Sequence, residues 1–200
     1  SRKHGTIKGL IRTFRKDLQR RESRQLLAKD IRPHDLGVEI GTGEQTIAPA
    51  KQTKLTDAFK DHAGANSIAT EFFPAEKIPY NEQTFDFILS EHVLEHLPDP
   101  IRALREWYRV MNEGGHLFLV MPHPERCFDK DRQTSTIEQM KAAYDRKADS
   151  SDDSVWNEWE EKVLKPGLAP QYKNYSKEDA LKNNLLHRWV FTPKSLEQLL

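Results

Sequence analysis

The feature that most restricts the fold of this chain is the heptapeptide Gly37-Val-Glu-Ile-Gly-Thr-Gly43. A short apolar strand that runs straight into Gly-x-Gly can turn sharply at its carboxyl end. It can then lay bare backbone against a ligand, because glycine tolerates left-handed φ and carries no Cβ. Such a strand end belongs to an open α/β sheet. The same residues exclude two phosphate-binding loops. Gly-x-Gly-x-x-Gly needs a glycine at position 46, where Thr46 stands, and a P-loop needs a Gly-Lys-Ser/Thr that does not follow. An ordinary tight turn is the alternative the heptapeptide leaves open.

Around it, short apolar runs alternate with helical patterns, which predicts a parallel sheet with crossover helices. Strands are expected at about Asp35–Ile40, Lys54–Asp57, Asn66–Thr70, Phe85–Ser90 and His116–Met121. Helices are expected at Pro100–Met111 and Pro193–Leu200. The first would show Ile101, Leu104, Trp107, Tyr108 and Met111 on one side, with Asn112-Glu-Gly-Gly115 as its stop signal. Residues 123–190 break the pattern: they are polar, carry Trp156, Trp159 and Trp189, and suggest helical pieces at Thr136–Lys147, Asp153–Leu164 and Lys177–Leu186. An insertion of that size on an α/β core is expected to act as a helical cap over the substrate, with a peripheral packing module as the alternative.

Charge divides the chain. Lys and Arg number 31, Asp and Glu 31, yet the first 32 residues hold eleven bases against three acids, a net of +8, and the remainder carries −8. Residues 6–30 have the period of a basic amphipathic helix that Pro33 ends. The expected organisation is therefore a basic helix over 1–32 and an α/β domain over 33–200. The arm could meet an anionic surface or an acidic partner, or could simply pair with the acidic body. Only Phe14 is available there to stack on a base, so nucleic acid is disfavoured. A lone Cys127 excludes a disulfide framework, and no apolar run spans a bilayer, so a cytoplasmic location is expected. The chain opens on Ser1 rather than methionine, so its native start is expected to be missing.

Six motifs follow in order: Glu39-Ile-Gly-Thr-Gly43, Ala75-Glu-Lys-Ile-Pro-Tyr80, Phe85-Asp-Phe-Ile88, Leu94-Glu-His-Leu97, Glu106-x-x-Arg109-Val110 and Gly114-Gly-His-Leu117. Over residues 36–122 this run resembles the class I S-adenosylmethionine-dependent methyltransferases. More faintly, Glu39-Ile-Gly-Thr-Gly43 with Pro49 soon after, then Pro122 and Phe128-Asp129-x-x-Arg132, resemble methyltransferase-like proteins of bacterial polysaccharide loci. The resemblance implies a doubly wound, mostly parallel Rossmann-like sheet, S-adenosylmethionine as cofactor, and a set of roles. Glu39, Gly41, Thr42 and Gly43 would form the loop beside the methionine moiety and ribose. Asp57 would bind the ribose hydroxyls, where its alternative is to cap a following helix. Ala75 and Glu76 would sit by the adenine, and Ser90, Glu91 and His92 beside the sulfonium.

Three departures stand out. Glu44-Gln45 follows the glycines where a third glycine is common in the family. About a dozen residues separate the first two strands, too few for a crossover helix. The family's last two strands have no counterpart after Leu200, so either the sequence is truncated or the sheet ends at five strands with an exposed edge.

Methyl transfer is an in-line displacement in which alignment matters most, with a base if the acceptor is a hydroxyl. The candidate bases are His92, His96, His123 and His187; His92 and His123 are the expected pair, each following the end of a strand, while His96 is expected to be structural. No metal is expected, although His92, Glu95 and His96 would share one helical face at a spacing that can hold a divalent ion. The Asn/Asp-Pro-Pro-Tyr/Phe sequence of amino-methylating enzymes is absent after the fourth strand. The expected reaction is O-methylation of a small molecule or glycan. The alternatives are a catalytically inactive docking module and an RNA methyltransferase.

Overall fold

A computed structural model describes residues 22–27, 29–49, 52–62 and 64–200. The basic helix expected over 6–30 therefore lies mostly outside the described residues; its described part, 22–27, is helical. Five parallel strands form the sheet, in the order β5-β2-β1-β6-β7. They are β1 (Gly37–Ile40), β2 (Thr53–Asp57), β5 (Glu71–Phe72), β6 (Phe85–Glu91) and β7 (Met111–Val120), and a two-stranded hairpin of β3 (Asp61–His62) and β4 (Ala65–Asn66) stands apart. The chain moves outward from β1 through β2 to β5, then returns to β6 on the other side of β1. That reversal opens a crevice beyond the carboxyl ends of β1 and β6.

Both central strands are almost wholly buried. Gly37 is needed there because a Cβ would stand 2.0 Å from the Phe87 ring of the neighbouring strand. The first crossover contains no helix in its described residues, as its length requires. Instead Leu27 and Ile31 pack with Ile47, Phe87 and Leu89 and close that face of the sheet.

Helix α1 (Pro100–Val110) begins at Asp99, whose side chain accepts from the Arg102 N–H at 2.9 Å, with Pro100 in the first turn. Its buried stripe is Pro100, Ala103, Trp107 and Val110, with Ile101, Leu104 and Met111 at the margin. Tyr108 is a correction to the expected face: it is 77% exposed, because Trp107 takes the inward position and donates its indole N–H to the Ala75 carbonyl at 2.9 Å. The expected stop signal also shifts. The helix ends at Val110, and Asn112–Gly115 form an irregularity inside β7, with Gly114 at φ +76°.

The third strand is displaced from Asn66–Thr70 to Glu71–Phe72. Gly64 (φ +83°) turns Ala65–Asn66 back into the hairpin, and the Ile68 N–H donates to the Gly43 carbonyl, carrying residues 67–70 past the β1 loop before pairing resumes.

The segment after β7 divides. Helix α2 (Ile137–Asp145), opened by a Thr136 capping box, adds Met140 and Ala143 to the sheet's core together with Trp189 and Phe191. A separate cluster gathers Trp156, Trp159, Val163, Leu185 and Leu186. It is built from α3 (Trp156–Trp159) with a π-turn over Glu160–Leu164, and from α4 (Lys177–Lys182), both shorter than their patterns suggested. The last helix, α5 (Pro193–Leu199), is capped by Thr192. No helix among the described residues is long and apolar enough to cross a membrane.

Asp86 links three strands' worth of chain. Its carboxylate accepts from the Leu36 N–H at 2.9 Å and the Asn112 amide at 2.8 Å, and these two bonds hold it below the usual carboxylate pKa. A depressed carboxylate stabilises above its unfolded pKa and loses that contribution as pH falls through the folded value. Asp86→Asn should therefore cost about 1 kcal/mol at neutral pH, and the deficit should shrink below about pH 4. Urea unfolding of both proteins across pH checks this; a pH-independent deficit would reject it.

Candidate functional site

A cavity of about 680 Å³ opens over the carboxyl ends of β1, β2, β5 and β6, within the range of small-molecule sites. Its floor is the β1 turn. Gly41 (φ +73°) donates its N–H to the Thr56 carbonyl at 2.9 Å, and a Cβ on it would lie 2.2 Å from Val93 Cγ2. Gly43 (φ +59°) donates its N–H to Asp57 Oδ2 at 3.1 Å, and nothing stands within 4 Å of where its Cβ would be. Thr42 between them is buried and bonded to the Thr56 carbonyl at 3.2 Å, so it does not line the cavity.

Asp57 lines the cavity at the end of β2, and its Oδ1 accepts from the Phe59 N–H at 3.3 Å. No helix follows, so the capping alternative is excluded. A carboxylate has about four acceptor positions, and the two backbone bonds leave the rest for a ligand. Ala75 and Glu76 form another wall, and burial pushes the Glu76 carboxyl upward.

Glu39 lies elsewhere than the resemblance implied. It is 1% exposed and absent from the cavity wall; its carboxylate accepts from Ile47 N–H at 3.1 Å, Ala48 N–H at 3.3 Å and the Thr46 hydroxyl. Burial still pushes its carboxyl up despite those donors. Glu39 thus pins the loop that replaces a crossover helix. Ser90 is buried in β6 and Glu91 half-buried at its end, neither on the cavity wall.

The two expected bases separate. His92 lines the cavity, in a left-handed conformation (φ +56°) rare for a side chain of its size, with Nδ1 3.3 Å from Glu95 Oε1. His123 is exposed and outside the cavity wall, because β7 ends at Val120 and the chain turns away through Pro122 and Pro124.

His92, Glu95 and His96 do not share a helical face either. Only Leu94–His96 form a single 3-10 turn, and His92 precedes it. His96 lines the cavity and donates its Nδ1–H to the Leu186 carbonyl at 3.1 Å; burial, then the nearby His187, pushes its pKa down to about 3. Burial opposes ionisation of Glu95, but the His92 bond and the three imidazoles around it outweigh that and hold its carboxyl below the usual value.

Sequence reasoning missed the wall contributed by Asp149, Ser150 and Asn184, far along the chain. Polar loop residues carry no periodic signal that would have marked them. It also missed the pairing of Asp129 with His187 and Arg132, for which the i, i+3 spacing of Asp129 and Arg132 was the one visible sign. Cys127 nearby is a poor nucleophile, its thiol pushed up to about 11 by burial.

Against known proteins, residues 38–119 match the family model described as a methyltransferase domain. A tRNA U34 carboxymethyltransferase of Campylobacter curvus is 37% identical over 71 residues, 36% of this chain and 24% of that protein. The chloroplastic 2-methyl-6-phytyl-1,4-hydroquinone methyltransferase 1 of Oryza sativa subsp. japonica is 47% identical over 51 residues, 25% of this chain and 16% of that protein. The matches thus span a quarter or less of either relative's length. Among solved structures, a SAM-dependent methyltransferase from Thermotoga maritima is similar with a TM-score of 0.49 and 20% identity, covering 95% of this chain and 74% of that one.

Proposed function

We propose that this chain, whose residues 38–119 match a methyltransferase domain, is a class I S-adenosylmethionine-dependent methyltransferase that binds its cofactor over the ends of β1 and β6 and methylates a hydroxyl of a small molecule or glycan. The observation that carries the reading is the convergence of Gly41, Gly43, Asp57, Ala75 and Glu76, from three separated stretches of sequence, on one cavity at the switch point of the sheet. The residues fit the group: bare backbone at Gly43, and a carboxylate at Asp57 with acceptor positions to spare. When bound, the cofactor supplies an electrophilic methyl group on a sulfonium.

The chain's own residues do the rest. Asp57 accepts from the ribose hydroxyls, and Ala75 with Glu76 flanks the adenine. Glu39 acts at one remove, holding Ile47 and Ala48 so that the β1 turn keeps its shape. Ser90 and Glu91 end the strand that presents His92 to the cavity. His92 is the group there that can take a proton from an acceptor hydroxyl; His123 is too far from the wall for that part. Asp149, Ser150, Lys182 and Asn184 from the segment after β7 line the cavity, in keeping with a cap over the acceptor.

An RNA acceptor is the second reading, favoured by the named activity of the Campylobacter relative and by the basic residues before Pro33. The cavity wall carries Asp57, Glu76 and Asp149 but also Lys77, Arg102 and Lys182, so its charge favours neither reading. If RNA is the acceptor, binding to a transfer RNA should weaken steeply with salt.

Calorimetric titration with S-adenosylhomocysteine tests the assignment. Binding is expected, and Asp57→Ala should weaken it by about 1–3 kcal/mol, with the fold retained. Absence of heat at millimolar ligand would leave the inactive docking module; equal binding by the variant would remove Asp57 from the site.

A further inference from the structure

Behind the inner wall of the cavity lies a cluster of side chains that the cofactor assignment does not use. Glu95 is fully buried, and its Oε2 has no hydrogen-bond partner. Its Oε1 lies 3.3 Å from His92 Nδ1 and 3.8 Å from His187 Nε2. No Lys or Arg among the described residues pairs with it. A buried carboxylate whose nearest described partners are imidazoles, with no Lys or Arg beside it, lacks a fixed counter-charge, which in a folded interior needs an explanation.

The imidazoles supply one. His96 Nδ1 lies 3.1 Å from the Leu186 carbonyl, which can only accept, so that nitrogen carries the proton. His187 Nδ1 is bonded to the Asp129 carboxylate, which the Arg132 guanidinium holds at 2.8 Å. Both rings therefore turn Nε2 away from those partners. One ligand atom from each of Glu95, His96 and His187 lies within 4.8 Å of the other two.

We propose that Glu95, His96 and His187 hold one divalent transition-metal ion at the inner wall of the cavity. Two imidazole nitrogens and a carboxylate suit zinc, cobalt, manganese or ferrous iron, whereas magnesium and calcium prefer all-oxygen sets. Asp129 is then the outer partner that fixes the ring orientation of His187, an arrangement that metal-bound histidines commonly share. A second trio, Cys127, Asp129 and His187, is also close, but Asp129 there is already engaged by Arg132 and the thiol is bonded to it. His96 lines the cavity, so a three-ligand ion has its open position on the acceptor side. Lowering the pKa of an acceptor hydroxyl there depends on the methyl-transfer reading; the metal site itself does not.

The test uses the whole chain, stripped with chelator and titrated with Co²⁺ and then Zn²⁺. One equivalent of Co²⁺ is expected to bind, with visible d–d absorption that Zn²⁺ abolishes, and to raise the unfolding temperature. His96→Ala and His187→Ala should each lose the absorption, and Asp129→Asn should weaken binding about 10–100-fold. Should the alanine variants not fold, Glu95→Gln keeps the volume and removes the charge, and the same loss is expected. No uptake by the wild type overturns the site. Uptake that all of these variants retain overturns it equally. Titrating the metal-free chain with S-adenosylhomocysteine keeps the two proposals apart: cofactor binding without metal uptake rejects this site alone.

Discussion

Arg132→Ala is expected to destabilise the protein by about 3–5 kcal/mol, the usual cost of stripping one partner from a buried ion pair. The Arg132 side chain is 1% exposed and the Asp129 side chain 2%. Its guanidinium donates to Asp129 Oδ1 at 2.8 Å, to the His187 carbonyl at 2.6 Å and to Glu158 at 3.2 Å. Alanine would leave a buried carboxylate with only the His187 and Cys127 contacts, a carbonyl without its donor, and a void between the sheet's core and the Trp156–Leu186 cluster. Lysine keeps the charge but not the planar fork, so Arg132→Lys should fall between the two. Urea unfolding measures all three. A loss under about 1 kcal/mol for Arg132→Ala would mean that water or rearrangement replaces the guanidinium, in the range of exposed pairs.

Gly41→Ala should be nearly as costly, at about 2–4 kcal/mol, and it should also weaken binding of S-adenosylhomocysteine. Two independent penalties meet at this position. The backbone is left-handed at φ +73°, and the new Cβ would stand 2.2 Å from Val93 Cγ2. They can be separated by a double-mutant cycle with Val93→Ala, which removes the collision but not the conformational strain. The double variant should recover part, but not all, of the loss. Strict additivity would show that the collision is relieved by movement of the β1 turn, and the contribution of Val93 to the cavity wall would have to be reassigned. Gly43→Ala is a useful comparison, since its φ is also positive but its Cβ would meet nothing.

How much of this was legible beforehand follows the physics of each element. β1, β6 and α1 are legible within a few residues because burial on both faces of a strand leaves an unbroken apolar run and burial of one helix stripe leaves a period. The third strand is not: a two-residue pairing, Thr56 with Glu71 and Asp57 with Phe72, leaves no period to read, and its position is set by where the Ile68 N–H finds an acceptor. Gly41, Gly43, Asp57, Ala75 and Glu76, picked out through the family resemblance, all line one cavity. Glu39 shows the limit of that reasoning. The motif marks its position, but alternation along a four-residue strand cannot say that its carboxylate turns to Thr46, Ile47 and Ala48 instead of the cavity. His92 and His123 looked equivalent as residues following strands, and only the direction of the chain after Val120 tells them apart. The assembly of Glu95 and His96 with His187 needed tertiary structure outright, since about ninety residues intervene.

Leu27 and Ile31 occupy the place on the sheet that a crossover helix would otherwise fill, against Phe87 and Leu89 of the central strand. The division of charge at Arg32 is thus not a division of the folding unit. Arg24, Lys29 and Arg32 lie on the solvent side of the same segment, and Arg24 also bonds the Thr46 carbonyl of the loop that Glu39 pins. By thermodynamic linkage, any anion that binds these residues only while the segment is docked adds its binding free energy to the cohesion of the sheet. Conversely, loosening of the β1 turn would be felt at that outer surface. Charge at one edge and the glycine turn at the other are two ends of a single lever.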